Sequence, residues 1–125
     1  MRRLTPAAVG LLVLLAILPA IADKAKSIYE KGQDAEARQN YEVAYDLYKQ
    51  AYDLKPKDLR YRTSFERMRS KAALSIVHHA QVIRDEGKLQ DAVVEFQKAL
   101  QIDPSLFIAQ QELKRTLQML SLIHI

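Results

Sequence analysis

The sequence predicts an all-α fold of antiparallel helix pairs, an α-solenoid of about five helices after an N-terminal signal peptide. One observation is composition: the 125 residues include only 3 Gly and 4 Pro, whereas strong helix formers such as Ala, Leu and Lys are plentiful. The other is an internal repeat, because residues 41–56 and 89–104 show the same pattern at an offset of 48 residues. Repetition of this kind is typical of stacked helical units.

The repeated pattern places small, aromatic and proline residues at fixed spacings. In the first copy, Ala44 and Ala51 flank Tyr48, and Pro56 follows. The two alanines are seven residues apart, about two helical turns, so they share one face and let a neighbouring helix approach closely. The second copy has the matching residues Ala92, Phe96, Ala99 and Pro104. The pattern resembles the second half of a tetratricopeptide repeat, and this resemblance implies paired helices that bind other proteins.

The repeat divides the chain into six predicted segments. They are a signal peptide (1–22), repeat one (25–58), a helical insertion (59–72), repeat two (73–106), a capping helix (107–119) and a non-native tail (120–125). Gly32 and Ala80 occupy the small-residue position at which paired helices touch. The insertion arises because the offset of 48 exceeds a 34-residue repeat by 14. Since no Pro or Gly separates it from Gly87, the insertion is predicted to continue into repeat two as one long helix.

Helical periodicity predicts which side chains of the later helices form the core. The predicted core face of the long helix is Tyr61, Phe65, Met68, Ala72, Ile76, His79 and Ile83. On this pattern His79 is a packed core imidazole, and Asp58 is the N-cap. Asp103 and Pro104 are predicted to start the capping helix, whose expected apolar face is Ile108, Leu113 and Leu117.

Four tyrosines on one helical face admit two interpretations. They are Tyr41, Tyr45, Tyr48 and Tyr52, and such a stripe could stack nucleic-acid bases. Repeat two has apolar residues at the same positions: Leu89, Val93, Phe96 and Leu100. Because these residues cannot form hydrogen bonds, core packing is favoured over base stacking.

The N-terminus has the layout of a secretory signal peptide. Arg2 and Arg3 give a positive start, residues 7–20 are almost entirely apolar, and residues 20–22 (Ala-Ile-Ala) form a small-residue cleavage site. The apolar run is short for a membrane span, which needs about 20 residues, and Pro19 is expected to break the helix. We expect cleavage after Ala22 and export to the periplasm or the outer membrane. The alternative is an uncleaved N-terminal anchor.

The last six residues depart from the pattern of the helix before them. Residues 120–125 (Leu-Ser-Leu-Ile-His-Ile) resemble the translated end of a transposase adaptor used in DNA library preparation. We expect the natural reading frame to leave this sequence near Met119 and to continue into a longer protein. The alternative is a genuine apolar tail that continues the last helix.

The sequence lacks the combinations of side chains that catalysis or metal binding requires. It contains no Cys, which excludes disulfides, thiolate metal sites and cysteine nucleophiles. His78 and His79 are adjacent and point about 100° apart on a helix, so they cannot chelate one metal together. Outside the leader, the chain contains 17 of its 19 Lys and Arg and all 15 acidic residues. This near balance of charge does not favour binding to nucleic acid. We expect no enzyme activity, cofactor, metal or nucleic-acid partner.

A basic stripe on the long helix is the candidate surface for a protein partner. Arg60, Arg67, Lys71 and His78 fall on one helical face. Leu74 and Val77 lie off the predicted core face and are added as candidate contacts, the alternative being that they pack on a neighbouring repeat. The alternatives are a solvated face, or a docking stripe for an acidic partner or an anionic membrane surface.

Three further strings resemble the N-terminal helical region of bacterial secretins, the outer-membrane channels of type II secretion and type IV pilus systems. They are residues 32–38 (GQDAEAR), 55–62 (KPKDLRYR) and 107–113 (FIAQQEL). The resemblance spans roughly residues 25–119. It implies a scaffolding region for protein secretion or pilus assembly, with ring and channel domains beyond this chain that would allow oligomers. Membrane contact would come only through the leader or the channel domain. The alternative is a free-standing periplasmic adaptor with an unknown client.

Overall fold

The computed structural model describes Arg3 and residues 5–124, and this part of the chain contains five α-helices and no strand. The helices are α1 (Pro6–Ala37), α2 (Tyr41–Leu54), α3 (Leu59–Asp85), α4 (Leu89–Ile102) and α5 (Phe107–Ile123). Each helix packs against the next one along the chain, and α3 also contacts α5. Because the turns span only three or four residues, consecutive helices run antiparallel. The predicted all-α class of antiparallel helix pairs is confirmed.

The repeated helices α2 and α4 have the same length and the same buried pattern. Each has 14 residues, and the buried residues include Ala44, Tyr48 and Ala51 in α2 and Ala92, Phe96 and Ala99 in α4. The alanines allow close approach, and the aromatic ring fills the space between them. A Cβ atom added at Gly32 of α1 would lie only 2.7 Å from the Tyr48 ring. Ala80 takes the corresponding position in α3 and is fully buried in one cluster with Phe96.

The turns that lead into α2 and α4 share one backbone geometry. Gln39 and Gly87 lie 48 residues apart, and both have positive φ, 61° and 87°. Glycine adopts this left-handed conformation freely, whereas a residue with a Cβ atom, such as Gln39, does so at a cost of about 1 kcal/mol. The offset of 48 therefore extends to the turns as well as to the helices.

The long helix α3 joins the predicted insertion to repeat two, as the absence of Pro and Gly predicted. Phe65 and Met68 in its first half pack in one cluster with α2, whereas Ile76 and Ala80 in its second half pack with α4. The two buried faces are about 100° apart around the helix axis. The predicted core stripe is therefore confirmed as far as Ile76, which is fully buried, and is wrong at His79.

His79 shows the effect of this change of buried face most clearly. Predicted as a core imidazole, it has a side chain that is 62% exposed, and its Nδ1 lies 3.8 Å from a Glu95 carboxylate oxygen. Ile83 is only partly buried, and Arg84 is buried beside it instead. The cause is the position of α3 between α2 and α4, which requires it to present two faces.

The last helix, α5, docks through a face that only partly matches the predicted one, because Leu113 packs against the core and Leu117 does not. Ala109 and Thr116 are fully buried, whereas Leu117 is 47% exposed. The offset of 48 accounts for this choice, because Ala109 and Thr116 correspond to Tyr61 and Met68, which are buried in the first half of α3. The helix continues to Ile123, so four residues of the predicted tail are helical.

The caps of α3 and α5 have different outcomes. Asp58 is the predicted N-cap of α3, and its Oδ1 accepts a hydrogen bond of 2.9 Å from the Arg60 backbone N–H. Asp103 lies in the turn before α5, which begins only at Phe107, so its predicted role at that helix start is wrong. Its carboxylate instead accepts hydrogen bonds from the Ser105 and Ser70 hydroxyls, at 2.6 and 2.9 Å. These bonds, chiefly that of Ser105, hold the pKa of Asp103 below its usual value.

The aromatic side chains form a cluster where α1, α2 and α3 meet. Tyr48 is buried, and the other three tyrosines of the α2 stripe are partly buried against the same core. The Tyr29 ring lies 5.3 Å from the Tyr48 ring and 4.8 Å from the Tyr61 ring, centroid to centroid. The interpretation of the stripe as core is confirmed.

The first helix, α1, contains the predicted leader and the first helix of repeat one without interruption. Pro19, expected to break the helix, lies inside it. The first fully buried residue of α1 is Ala25, after the predicted cleavage site. By length and composition this helix could cross a membrane, a property that a signal sequence near the N-terminus shares. Cleavage after Ala22 stays a prediction.

Candidate functional site

Part of the predicted basic stripe lies in an open groove, here called the α2–α3 groove. Its lining residues are Gln39 and Tyr41 on one side and Lys71, Leu74, Ser75 and His78 of α3 on the other, and its volume is about 340 Å³. Lys71, Leu74 and His78 were predicted as candidate partner contacts, and the fold brings them together here. One helical turn separates Lys71 from Leu74 and another separates Leu74 from His78, so the three form a continuous row.

The two arginines of the stripe are engaged by carboxylates of the chain itself. Arg60 reaches its neighbour Asp58, with 3.1 Å between Nη2 and Oδ2. Arg67 binds both carboxylate oxygens of Glu36 in α1, with 2.8 Å between Nη2 and Oε2. These pairs compensate both charges. The stripe is therefore less basic than the sequence alone indicated.

The lysine of the groove acts on the Glu36 carboxyl only from a longer distance, and its charge helps to lower the pKa of that group. Within the part of the chain that the structure describes, Lys71 forms no ion pair, and its Nζ lies 5.5 Å from the centroid of the Tyr41 ring. Leu74 beside it is 38% exposed. His78 is exposed, with 3.4 Å between its Nδ1 and Oε1 of Gln81. The groove thus offers a cation, an aromatic ring and an apolar side chain within a short distance.

Val77 does not belong to this surface, and its prediction as a partner contact is wrong. It is fully buried in the cluster that also contains Ala73, Phe96 and Ala109. The rotation of the buried face along α3 explains the error, because the second half of the helix turns Val77 towards α4 and α5.

A second open surface, the α4–α5 groove, was not among the predicted sites. It is lined by Leu100, Gln110, Leu113, Lys114, Leu117, Gln118 and Ser121 and has a volume of about 500 Å³. At the offset of 48 residues, the counterpart of Leu113 is Phe65 in α3, whose ring lies 5.1 Å from Tyr45 and 5.7 Å from Tyr52. The smaller residues of repeat two leave the matching space open. Aligning the two copies beyond residue 104 would have revealed this difference.

A charged network at the junction of three helices holds the groove's supporting helices together. Glu36 of α1 accepts a hydrogen bond of 2.7 Å from the Tyr48 hydroxyl of α2 and binds Arg67 of α3. The Arg67 guanidinium, helped by Tyr48, lowers the pKa of Glu36 to about 2. Burial and the hydrogen bond to Glu36 raise the pKa of Tyr48. Glu36 is thus ionised whenever the protein is near neutral pH.

A buried ion pair joins α3 to α5, and sequence reasoning missed it. Arg84, whose side chain is only 8% exposed, binds the Glu112 carboxylate, and its guanidinium carbon lies 5.7 Å from the Phe96 ring centroid. The Thr116 Oγ1 lies 3.5 Å from Nη1 of Arg84, the nitrogen that binds Glu112. The signal in the sequence is weak, because Arg84 near a helix end resembles an ordinary surface arginine.

The structure contains no evident site for metal chemistry in the residues it describes. Across Arg3 and residues 5–124, no three His, Cys, Asp or Glu side chains are grouped so that they could hold a metal ion. The side chains with perturbed pKa values are accounted for by the ion pairs, hydrogen bonds and burial that surround them.

Comparison with known proteins gives little beyond the helical architecture. No protein-family model matches the chain, and no curated protein matches it. A similar solved structure is the first tetratricopeptide domain of Spaghetti (RPAP3) bound to the HSP90 peptide SRMEEVD, with a TM-score of 0.38 and 21% sequence identity. The match covers 80% of this chain and 95% of that chain. Similarity at this level carries no information about ligands, and nothing in these comparisons links the chain to bacterial secretins.

Proposed function

We propose that the chain is a non-enzymatic protein-interaction module and that it holds a partner segment in the α2–α3 groove. The observation that carries this proposal is the position of Lys71 beside Leu74 and Tyr41 in an open groove. A carboxylate next to an apolar side chain complements these three groups. The groove walls are packed helices, and preorganised walls reduce the entropy lost on binding.

The test begins by finding the partner and ends with its affinity. A photo-crosslinking amino acid at position 74 would capture the partner in cells, and the purified partner would then be titrated against the full chain. We expect Lys71→Glu to weaken binding by roughly fivefold, the equivalent of about 1 kcal/mol for one exposed ion pair. The salt dependence of binding should also become weaker.

Arg60→Glu is the matched control for this variant. It makes the same change of charge on the same helix, but Arg60 lies outside the groove and is already paired with Asp58. Affinity should therefore stay within about twofold of the wild type. Equal losses for Lys71→Glu and Arg60→Glu would contradict the groove and leave only a general charge effect.

For the cellular setting, we propose that the module acts in the bacterial cell envelope as the N-terminal scaffolding region of a secretin. The layout of the leader and the three secretin-like strings support this. The alternative is a free-standing periplasmic adaptor, which the same leader and helix pairs fit equally well. Both require export, so N-terminal sequencing of envelope material should find Asp23 first.

The genomic sequence after the codon for Met119 separates the two settings. Ring and channel domains there would support the secretin. A stop codon soon after would support the adaptor. An unrelated domain would contradict both settings and leave the interaction module in place.

A further inference from the structure

The apolar first half of α1 projects from the helix pairs without a protein partner. Its large side chains, including Leu11, Leu12, Leu14, Leu15 and Leu18, are each more than half exposed. Residues 7–18 extend for roughly 18 Å at the rise of an α-helix. Exposure of an apolar surface of this size to water is unfavourable, so we expect it to be buried against another apolar surface.

The base of this projection lies against the turn between α2 and α3. Leu18, Ile21 and Ala22 of α1 line one cavity together with residues 54–58 of that turn. The turn and the first residues of α3 are therefore held next to the point at which the apolar segment leaves the domain. Leu59, the first residue of α3, is 73% exposed here.

Four exposed basic residues on the adjoining segments are here called the basic collar: Lys55 and Lys57, which line this cavity, with Lys24, two residues after Ala22, and Arg62 in the first turn of α3. None of them forms an ion pair in the part of the chain that the structure describes. The neighbouring Lys26 and Arg60 are paired with Glu30 and Asp58. The exposed carboxylates nearby are Asp23 and Asp53, so the four collar charges retain an excess of two.

We propose that the basic collar binds the surface of an anionic phospholipid bilayer and seats the helix pairs against it. The apolar segment enters the hydrocarbon, Leu59 meets the interface, and the collar side chains reach the phosphate layer. An acidic protein would complement the collar charges equally well. It would not account for the apolar segment that emerges beside them, and a bilayer accounts for both. The proposal takes the alternative of an uncleaved N-terminal anchor, because cleavage after Ala22 would remove the apolar segment, and it does not depend on the α2–α3 groove.

The test measures how the full chain distributes between two vesicle populations at equilibrium. One population is pure phosphatidylcholine, and the other contains phosphatidylcholine with phosphatidylglycerol. Insertion of the apolar segment contributes similarly in both, so the distribution ratio reports the electrostatic contribution. Each basic residue near an anionic surface contributes about 1 kcal/mol, roughly a fivefold preference.

The collar variant Lys55→Gln/Lys57→Gln/Arg62→Gln should lose most of the preference for the anionic vesicles, on the order of one hundredfold for three residues. The matched control is Arg38→Gln/Lys114→Gln/Arg115→Gln, which removes the same charge from exposed positions in the turn after α1 and on α5. The control should retain the preference. Circular dichroism and melting of both variants would show that the helices remain folded.

High salt gives an independent readout on the wild-type chain. At about 1 M ionic strength the Debye length falls to about 3 Å, and the preference should shrink by more than tenfold. Equal partition of the wild type between the two vesicles would overturn the proposal and leave the collar to an acidic protein. Equal losses in the collar variant and the control would also overturn it, because net charge and not location would then decide.

Discussion

Glu36 shows how a single side chain connects three helices of this small solenoid. It lies in α1, accepts a hydrogen bond from Tyr48 in α2 and binds Arg67 in α3. Its side chain is 22% exposed, and the partly buried site strengthens both interactions relative to a fully hydrated pair. In the sequence, Glu36 and Arg67 belong to different helices and are ordinary charged residues.

The lowered pKa of Glu36 predicts a specific loss of stability in acid. In the unfolded chain this carboxyl titrates near 4.5, and in the folded protein near 2. Its contribution is therefore fully present above pH 4.5 and is lost as the pH falls towards 2. In urea unfolding of the wild type, the midpoint concentration of urea should decrease as the pH falls from 4.5 to about 2. For Glu36→Gln this decrease should be smaller. Glu30→Gln, on the same helix and exposed, should follow the wild-type profile. A wild-type slope in Glu36→Gln would contradict the assignment.

At the level of helices, the second half of α3 carries most of the disagreement between sequence and structure. A stripe at steps of four and three correctly finds Tyr61, Phe65 and Met68, because the burial of the first half is decided by the adjoining helices α1 and α2. Beyond Ala72 the neighbours become α4 and α5, and the buried face turns. Helical periodicity predicts one buried face for a helix. It does not indicate where along the helix the packing partner changes. For this reason His79, predicted in the core, is exposed, and Val77, predicted off the core face, is buried.

The repeat is the part of the fold that the sequence predicts most fully. Ala44, Tyr48, Ala51 and their counterparts are buried because their spacing is local and each copy verifies the other. The α2–α3 groove could be predicted only in part. Lys71 and Leu74 follow from their helical positions, whereas the engagement of Arg67 depends on Glu36, 31 residues away. Pairing across such a distance requires the packed structure.

The contact between α3 and α5 depends on the buried pair of Arg84 and Glu112. Glu112→Ala would leave the guanidinium buried without a carboxylate, and we expect a loss of about 3–5 kcal/mol in the free energy of unfolding. The double variant Arg84→Met/Glu112→Leu removes both charges and keeps apolar volume, so it should lose much less. Chemical denaturation of the three proteins measures both effects. A double variant as unstable as Glu112→Ala would mean that packing, and not the unpaired charge, causes the loss.

For the whole molecule, burial divides the chain at the predicted cleavage site. Every buried residue of the helix pairs lies at or after Ala25, and of the leader near the cleavage site only Ile21 and Ala22 are partly covered. In the part that the structure describes, the predicted leader therefore contributes an exposed apolar surface and little of the core. The helix pairs do not need it to bury their apolar faces.

Removal of residues 1–22 should for this reason leave the melting temperature of the remaining chain nearly unchanged. The cut loses only the contact of Leu18, Ile21 and Ala22 with the turn after α2, and a loss below about 0.5 kcal/mol corresponds to roughly 2–4 °C for a domain of this size. Removal of residues 1–28 serves as the contrast, because it also deletes Ala25, which is fully buried with Ala51 and Tyr61, and Ile28, which packs against them. That truncation should lower the melting temperature by at least about 10 °C, as expected for a loss above 2 kcal/mol. If the shorter cut destabilises the chain as much as the longer one, residues 18–22 are part of the core, and cleavage after Ala22 would then weaken the fold it releases.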